Sequence, residues 1–138
     1  MGQRRKAREL ALQLLYQMEM QDVGPKVVID RFAESEEYPE EAKKFSYELV
    51  EGTYRNRREI DELIEKHSSH WKIARMSAVD RNILRLGVYE LSYLNDVPTS
   101  VAIDEAIEIA KRFGTENSGA FINGILDNIA KDVRKDPR

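Results

Sequence analysis

Residues 81–94 read "RNILRLGVYELSYL", a helical stretch with apolar side chains on most of its faces. A helix at a protein surface shows a single apolar stripe, whereas one that is apolar nearly all round belongs inside. The stretch is therefore expected to be the central buried helix of its half of the chain. Ser77, with Asp80 three residues on, marks its start as an N-cap pair in which Asp replaces the usual Glu. Asn95-Asp96 and Pro98 stop it. Arg81 and Arg85 sit four apart on this helix, and a buried unpaired cation is costly, so nearby Asp80 and Glu90 are their expected partners.

Downstream, Thr99 or Ser100 is expected to cap a helix presenting Ala102, Ile103, Ala106, Ile107, Ala110 and Phe113. Gly114 follows as a C-terminal glycine and Thr115 as the next N-cap. The last helix carries Ile122, Ile125, Leu126, Ile129 and Val133, and the tail "RKDPR" (134–138) is expected to fray. Upstream, residues 68–76 ("SSHWKIARM") read as a connection with at most one helical turn. Before it, Pro39 opens one long helix from about Glu40 to His67, striped by Ala42, Phe45, Leu49, Val50, Ile60, Leu63 and Ile64. A polar run, 55–58, interrupts that stripe, and Gly52 and Thr53 weaken the helix locally. A short helix around Val27–Ala33 precedes it. Gly24-Pro25 separates that helix from a first one whose apolar positions are Ala7, Leu10, Ala11, Leu14, Leu15 and Met18.

Strand-like alternation is absent throughout. The expectation is an all-α protein of six or seven helices in two small packed bundles. The N-terminal subdomain would cover residues 1–70 and the C-terminal subdomain 71–138. Each is too small to be comfortable alone, so the two should form one domain. A hydrophobic content of 41% and a charged content of 34% suit a globular chain rather than a disordered one. No apolar run is long enough to cross a bilayer, and Glu9, Gln13 and Gln17 interrupt any secretory pattern behind the basic start. Cysteine is absent, which excludes disulfides and thiolate catalysis and fits a cytoplasmic location. His67 and His70 are the only histidines, too few for a metal site without borrowed carboxylates. Neither a Gly-rich phosphate loop nor a nucleophile elbow is present, and nothing argues for catalysis or a cofactor.

The charge is uneven. Arg4, Arg5, Lys6 and Arg8 give the first eight residues +4, so a chain of net charge −3 carries −7 on the remainder. Cations at a helix N-terminus oppose its dipole. On a helical projection Arg4 and Arg8 flank the apolar stripe, while Arg5, Glu9 and Tyr16 fall on the far side, Tyr16 roughly 160° from the stripe's centre. Guanidinium groups beside an outward aromatic ring suit single-stranded nucleic acid, with phosphates held by charge and a base stacked on the ring. Attraction to a membrane surface and a merely solvated arm are the alternatives at this point.

Three stretches carry a resemblance. "RRKARELALQLLYQ" (4–17), "DRNILRLGVYELSYLNDVP" (80–98) and "VAIDEAIEIAKRFGTENSGAFINGILDNIAK" (101–131) are similar, in order and spacing, to the NusB family of bacterial transcription antitermination factors. "FINGILD" (121–127) is the most specific part. The resemblance implies two helical bundles and a non-enzymatic role: binding the boxA element of nascent RNA as a heterodimer with NusE, a small-subunit ribosomal protein. That binding helps the RNA polymerase antitermination complex read through terminators in ribosomal RNA operons. Carried over residue by residue, it implies RNA contacts from Arg4, Arg5, Lys6, Arg8 and Tyr16 on the first helix. At the start of the last helix it implies contacts from Asn117, Ala120 and Phe121. Asn117 stands where some relatives have an acid, and Ala120 where some have a base. Asp80 is the candidate contact to NusE. Replacing Arg4, Arg5 and Arg8 with Ala is expected to weaken RNA binding and leave the fold intact. A helical scaffold without sequence-specific RNA binding is the alternative, and a homodimer is left open. A NusB-like domain also precedes a ribosomal RNA cytosine methyltransferase, but a chain ending at Arg138 is expected to lack that catalytic part.

Overall fold

A computed structural model describes residues 2–69 and 71–138; His70, one of the two histidines weighed as a metal ligand, lies outside them. The described residues form seven α-helices and no strand. They are α1 (Gly2–Gln21), α2 (Pro25–Phe32), α3 (Glu40–Arg55), α4 (Arg57–His67), α5 (Ala78–Tyr93), α6 (Thr99–Phe113) and α7 (Ser118–Val133). A single 3₁₀ turn, Ile73–Arg75, lies between α4 and α5.

The 81–94 stretch occupies the middle as expected. α5 packs against α1, α3, α4, α6 and α7, while α1 lies along α3 and α6 along α7. Ile83, Leu84, Leu86, Val88 and Leu91 of α5 are buried, and the apolar cluster runs unbroken from Leu10 in α1 to Ala130 in α7. Ser77 accepts the Asp80 N–H at 3.0 Å, the capping bond read from the sequence. None of the described helices is long and apolar enough to cross a membrane.

Several boundaries differ from the sequence reading, each for a local reason. The long helix 40–67 is two helices meeting at Asn56. The Asn56 side-chain amide donates to the Gly52 carbonyl at 2.8 Å and its own backbone N–H to the same oxygen at 3.1 Å. A side chain that competes for a helical carbonyl ends the regular ladder. Gly52 is not simply a weak point: a Cβ there would lie 2.2 Å from the Tyr89 ring, so glycine lets α3 approach α5. The α1 helix ends on Asp22, which takes the left-handed conformation (φ 54°), ahead of Gly24. Pro98 rather than Thr99 occupies the N-cap of α6, and Asn117 rather than Thr115 that of α7.

The tail does not fray. Arg134 donates to the carbonyls of Leu91 (2.8 Å), Glu90 (3.1 Å) and Leu94 (3.2 Å), and to the Thr99 hydroxyl (3.3 Å). The Glu90 and Leu94 carbonyls also accept the backbone N–H groups of Leu94 (3.1 Å) and Val97 (3.0 Å), so one guanidinium gathers the carbonyls that end the central helix. Arg138 reaches Asn123 and Asp104. Gly52→Ala is expected to lower stability by about 1–3 kcal/mol, because a stacked ring rather than a flexible chain end must move. Urea unfolding would measure it, with Gly24→Ala, where nothing lies within 4 Å of the added Cβ, as a near-neutral control.

Candidate nucleic-acid interface

The four cations of the first helix meet four different environments. Arg8 is buried: its Nε and Nη2 donate to the two carboxylate oxygens of Glu90 at 2.8 and 2.7 Å, with the side chains 5% and 3% exposed. Its third nitrogen stands 3.8 Å from Glu105. Arg5 makes the same forked pair with Glu105, at 2.9 and 2.7 Å, and remains partly open to solvent. Arg4 is exposed, its guanidinium 4.0 Å from the centre of the Phe45 ring. Lys6 is exposed and pairs with no carboxylate among the described residues. Arg8 is therefore corrected as an RNA contact: it is enclosed and its donors are already used. The projection put Arg8 on the flank of the stripe, and that flank is where α5 and α6 pack.

This arrangement also explains the charge crowded against the helix dipole. Glu90 from α5 and Glu105 from α6 reach back to the start of α1, and opposite charge at hydrogen-bond distance outweighs the dipole's unfavourable contribution. The Arg5 hydrogen bond holds the Glu105 carboxyl below the usual carboxylate range, helped by the charges of Arg5 and Arg8 and opposed by burial. Glu9, expected on the far side from the apolar stripe, is instead buried and binds Arg112 of α6 at 2.8 Å. Arg81 and Arg85 are paired, as expected, but across helices. Both bind Glu19 of α1, and Arg85 also makes a forked pair with Asp61 of α4.

Arg5 meets Glu105 while Glu9 meets Arg112, so α1 and α6 run in the same sense where they touch. Tyr16 lies seven residues beyond Glu9, two turns along the same face and about 10 Å further on. Its ring is 41% exposed, and at the α6–α7 turn Asn117 and Ala120 are both exposed. That turn is held by Ser118, whose hydroxyl accepts the Thr115 N–H at 2.9 Å, and by Gly114, where a Cβ would lie 2.5 Å from the same hydroxyl. A hollow of about 450 Å³ there is lined by Lys111, Thr115, Ala120 and Asn123 among others. Phe121 is half-buried and stands edge-on to Trp71, ring centres 6.2 Å apart at 76°. The sequence reading passed over Trp71, 51% exposed, because its segment looked like a plain connection; the signal was the chain's one tryptophan next to two cations. Asp80 is half-buried at the start of α5, and its Oδ1 has no hydrogen-bond partner among the described residues.

A helical protein with this buried ion-pair girdle and open aromatic rings at one end has close relatives. The family model described as "NusB family" matches residues 5–131. The chain belongs to the NusB family, whose role is not enzymatic. It is 49% identical to the transcription antitermination protein NusB of Desulfatibacillum aliphaticivorans, over 100% of this chain and 96% of that one. It is 48% identical to that of Myxococcus xanthus, over 98% and 99%. Among solved structures, T. maritima NusB matches with a TM-score of 0.85 and 44% identity over 94% of this chain and 91% of that one. A crystal structure of antitermination factors NusB and NusE in complex with dsRNA matches with a TM-score of 0.85 and 32% identity, over 96% and 98%.

Two outcomes are expected. Arg8→Ala leaves Glu90 buried and unpaired and should cost about 3–5 kcal/mol in urea unfolding, whereas Arg8→Met with Glu90→Leu should recover most of it. Glu105 has a lowered folded pKa, so its contribution is complete above the ordinary Glu value of about 4.3 and is lost as pH falls through the folded value. The stability gap between wild type and Glu105→Gln should therefore shrink in thermal melts as pH falls below about 4.

Proposed function

We propose that this chain is an RNA-binding transcription antitermination factor. In this reading it binds boxA-type RNA as a heterodimer with NusE and acts in the cytoplasm within the RNA polymerase antitermination complex, promoting read-through in ribosomal RNA operons. The observation that carries the reading is Tyr16. Its ring stays open to solvent on a helix whose other large apolar side chains, Met20 excepted, are buried. Lys6 stands ten residues before it, about 15 Å along the same helix. The ring therefore offers a stacking face to a base while the cations meet phosphates of other nucleotides. The full-length likeness to a complex of NusB and NusE with dsRNA supports RNA as the class of ligand and NusE as the partner.

Arg4 and Lys6 supply the phosphate contacts, and Arg5 adds the edge of its guanidinium not used by Glu105. Tyr16 and Phe121 supply the stacking faces, with Asn117 and Ala120 between them at the α7 start. Arg8 acts only by holding the helix in place. The unpartnered oxygen of Asp80 is an acceptor that a cationic or N–H group of NusE satisfies. Residues 1–70 and 71–138 work as two helical halves of one domain, a division that the ion pairs from α1 to α5 and α6 tie together. A homodimer through either face would compete with these contacts.

Binding to a single-stranded boxA leader RNA, with and without NusE, across a salt series tests this, with a scrambled RNA as control. Each phosphate neutralised on a single strand contributes about −0.7 to the log–log salt slope, so Arg4 and Lys6 together contribute about −1.4. Lys6→Ala should lose its share equally on both RNAs. Tyr16→Ala should weaken binding by about 1–3 kcal/mol with unchanged helicity. Equal binding to leader and scrambled RNA, or no binding with NusE present, would favour a scaffold without sequence reading.

A further inference from the structure

We propose that Trp71 is a stacking platform for an unpaired base of single-stranded RNA, with Lys72 and Arg75 holding the flanking phosphates. The inference rests on the RNA-binding reading above and extends it to a segment between α4 and α5 that neither the sequence reading nor the family resemblance assigned.

Trp71 is pinned but not covered. Its backbone N–H donates to the Ser68 carbonyl at 3.1 Å, and its own carbonyl accepts the Ser68 hydroxyl at 2.7 Å. The backbone at Trp71 is thus tied to the end of α4, and the Phe121 ring flanks the indole, so part of the ordering cost of binding is already met. Its contact with Phe121 is edge-on, a geometry that cannot cover both faces of the indole, and half of the residue remains open. A large aromatic side chain left exposed in this way is available for a ligand with a flat π-face.

The charge around it favours RNA over a protein partner. Lys72 and Arg75 are exposed, and neither pairs with a carboxylate among the described residues. The nearest acid on α4 is already engaged: Glu65 accepts the Ile73 N–H at 2.9 Å. The Arg75 N–H bonds the Lys72 carbonyl at 2.9 Å, which keeps the two cations one short turn apart beside Trp71. This contrasts with the basic start of α1, where half of the cations are committed to Glu90 and Glu105. The Trp71 ring also continues the surface that Phe121 begins, so a strand lying on the α7 start reaches it without a gap in aromatic lining.

Trp71 is the only tryptophan, so its fluorescence reads the site directly. The probe is the single-stranded boxA leader oligonucleotide, with binding followed independently by gel shift. Expected results are quenching of the emission on binding and a loss of affinity of about 5- to 150-fold for Trp71→Ala, with Trp71→Phe retaining most of it. Lys72→Ala with Arg75→Ala should lower the salt slope by about 1.4. RNA binding that leaves the emission and the Trp71→Phe and Trp71→Ala affinities unchanged would overturn this proposal while the RNA-binding reading stands. No RNA binding by the wild type would overturn both. Emission that responds to NusE but not to RNA would overturn it in favour of a protein contact. Should Trp71→Ala lose its helical circular dichroism, the wild-type emission and the Trp71→Phe affinity decide.

Discussion

The forked pair between Arg8 and Glu90 is the constraint on which the rest of the molecule depends. Two charges taken out of water are destabilising unless their geometry is good and their remaining donors and acceptors are satisfied. Here both conditions hold, through two bonds under 3 Å and a second carboxylate beside the third nitrogen. The requirement is stringent in position. A rotation or a one-turn slide of α1 against α5 would leave both charges buried and alone, whereas apolar side chains would tolerate such a shift. The pair therefore sets the register of α1. That register in turn fixes which of its residues face outward, so Tyr16 and Lys6 are exposed because Arg8 is not.

The same logic recurs around α5. Arg81 and Arg85 gather Glu19 from α1 and Asp61 from α4, and Arg134 closes the far end of the helix. Arginine suits each of these places because its planar fork satisfies two acceptors at once. The central helix is thus apolar where it meets the core and tied by guanidinium groups along its margins and at its C-terminus. Polar contacts between helices, rather than caps within them, do most of the positioning. α2, α3, α4, α6 and α7 all lack a side-chain capping bond at their N-termini.

How much of this could be read from the sequence depended on the range of the interaction. Periodicity is local, so the stripes of α1 and α6, the buried character of 81–94 and the Ser77 cap were all legible. The break at Asn56 was visible only as a polar run, because a side chain that shares a helical carbonyl leaves no mark on the apolar pattern. Partner choice was not legible. Arg81 and Arg85 were recognised as needing partners, with Asp80 and Glu90 expected, yet their partners are Glu19 and Asp61 on other helices. Arg8 was misjudged for the same reason: the basic run looks like one patch in sequence, and only Glu90, 82 residues away, separates Arg8 from Lys6 in kind. Trp71 was missed because exposure of an aromatic ring in a connection has no periodic signature.

The length of those separations bears on how the chain comes into being. Arg5 and Arg8 wait for partners 100 and 82 residues downstream, and the C-terminus of α5 waits for Arg134, which follows Glu90 by 44 residues. At about 5–20 residues per second, the first helix is synthesised roughly 4–20 s before its acids are. Through that interval its cations lack their acids beside a large mass of ribosomal RNA, although its apolar face can already meet α3. The buried ion pairs of α1 are then among the last contacts of the fold to close, after its packing on α3 has had time to form.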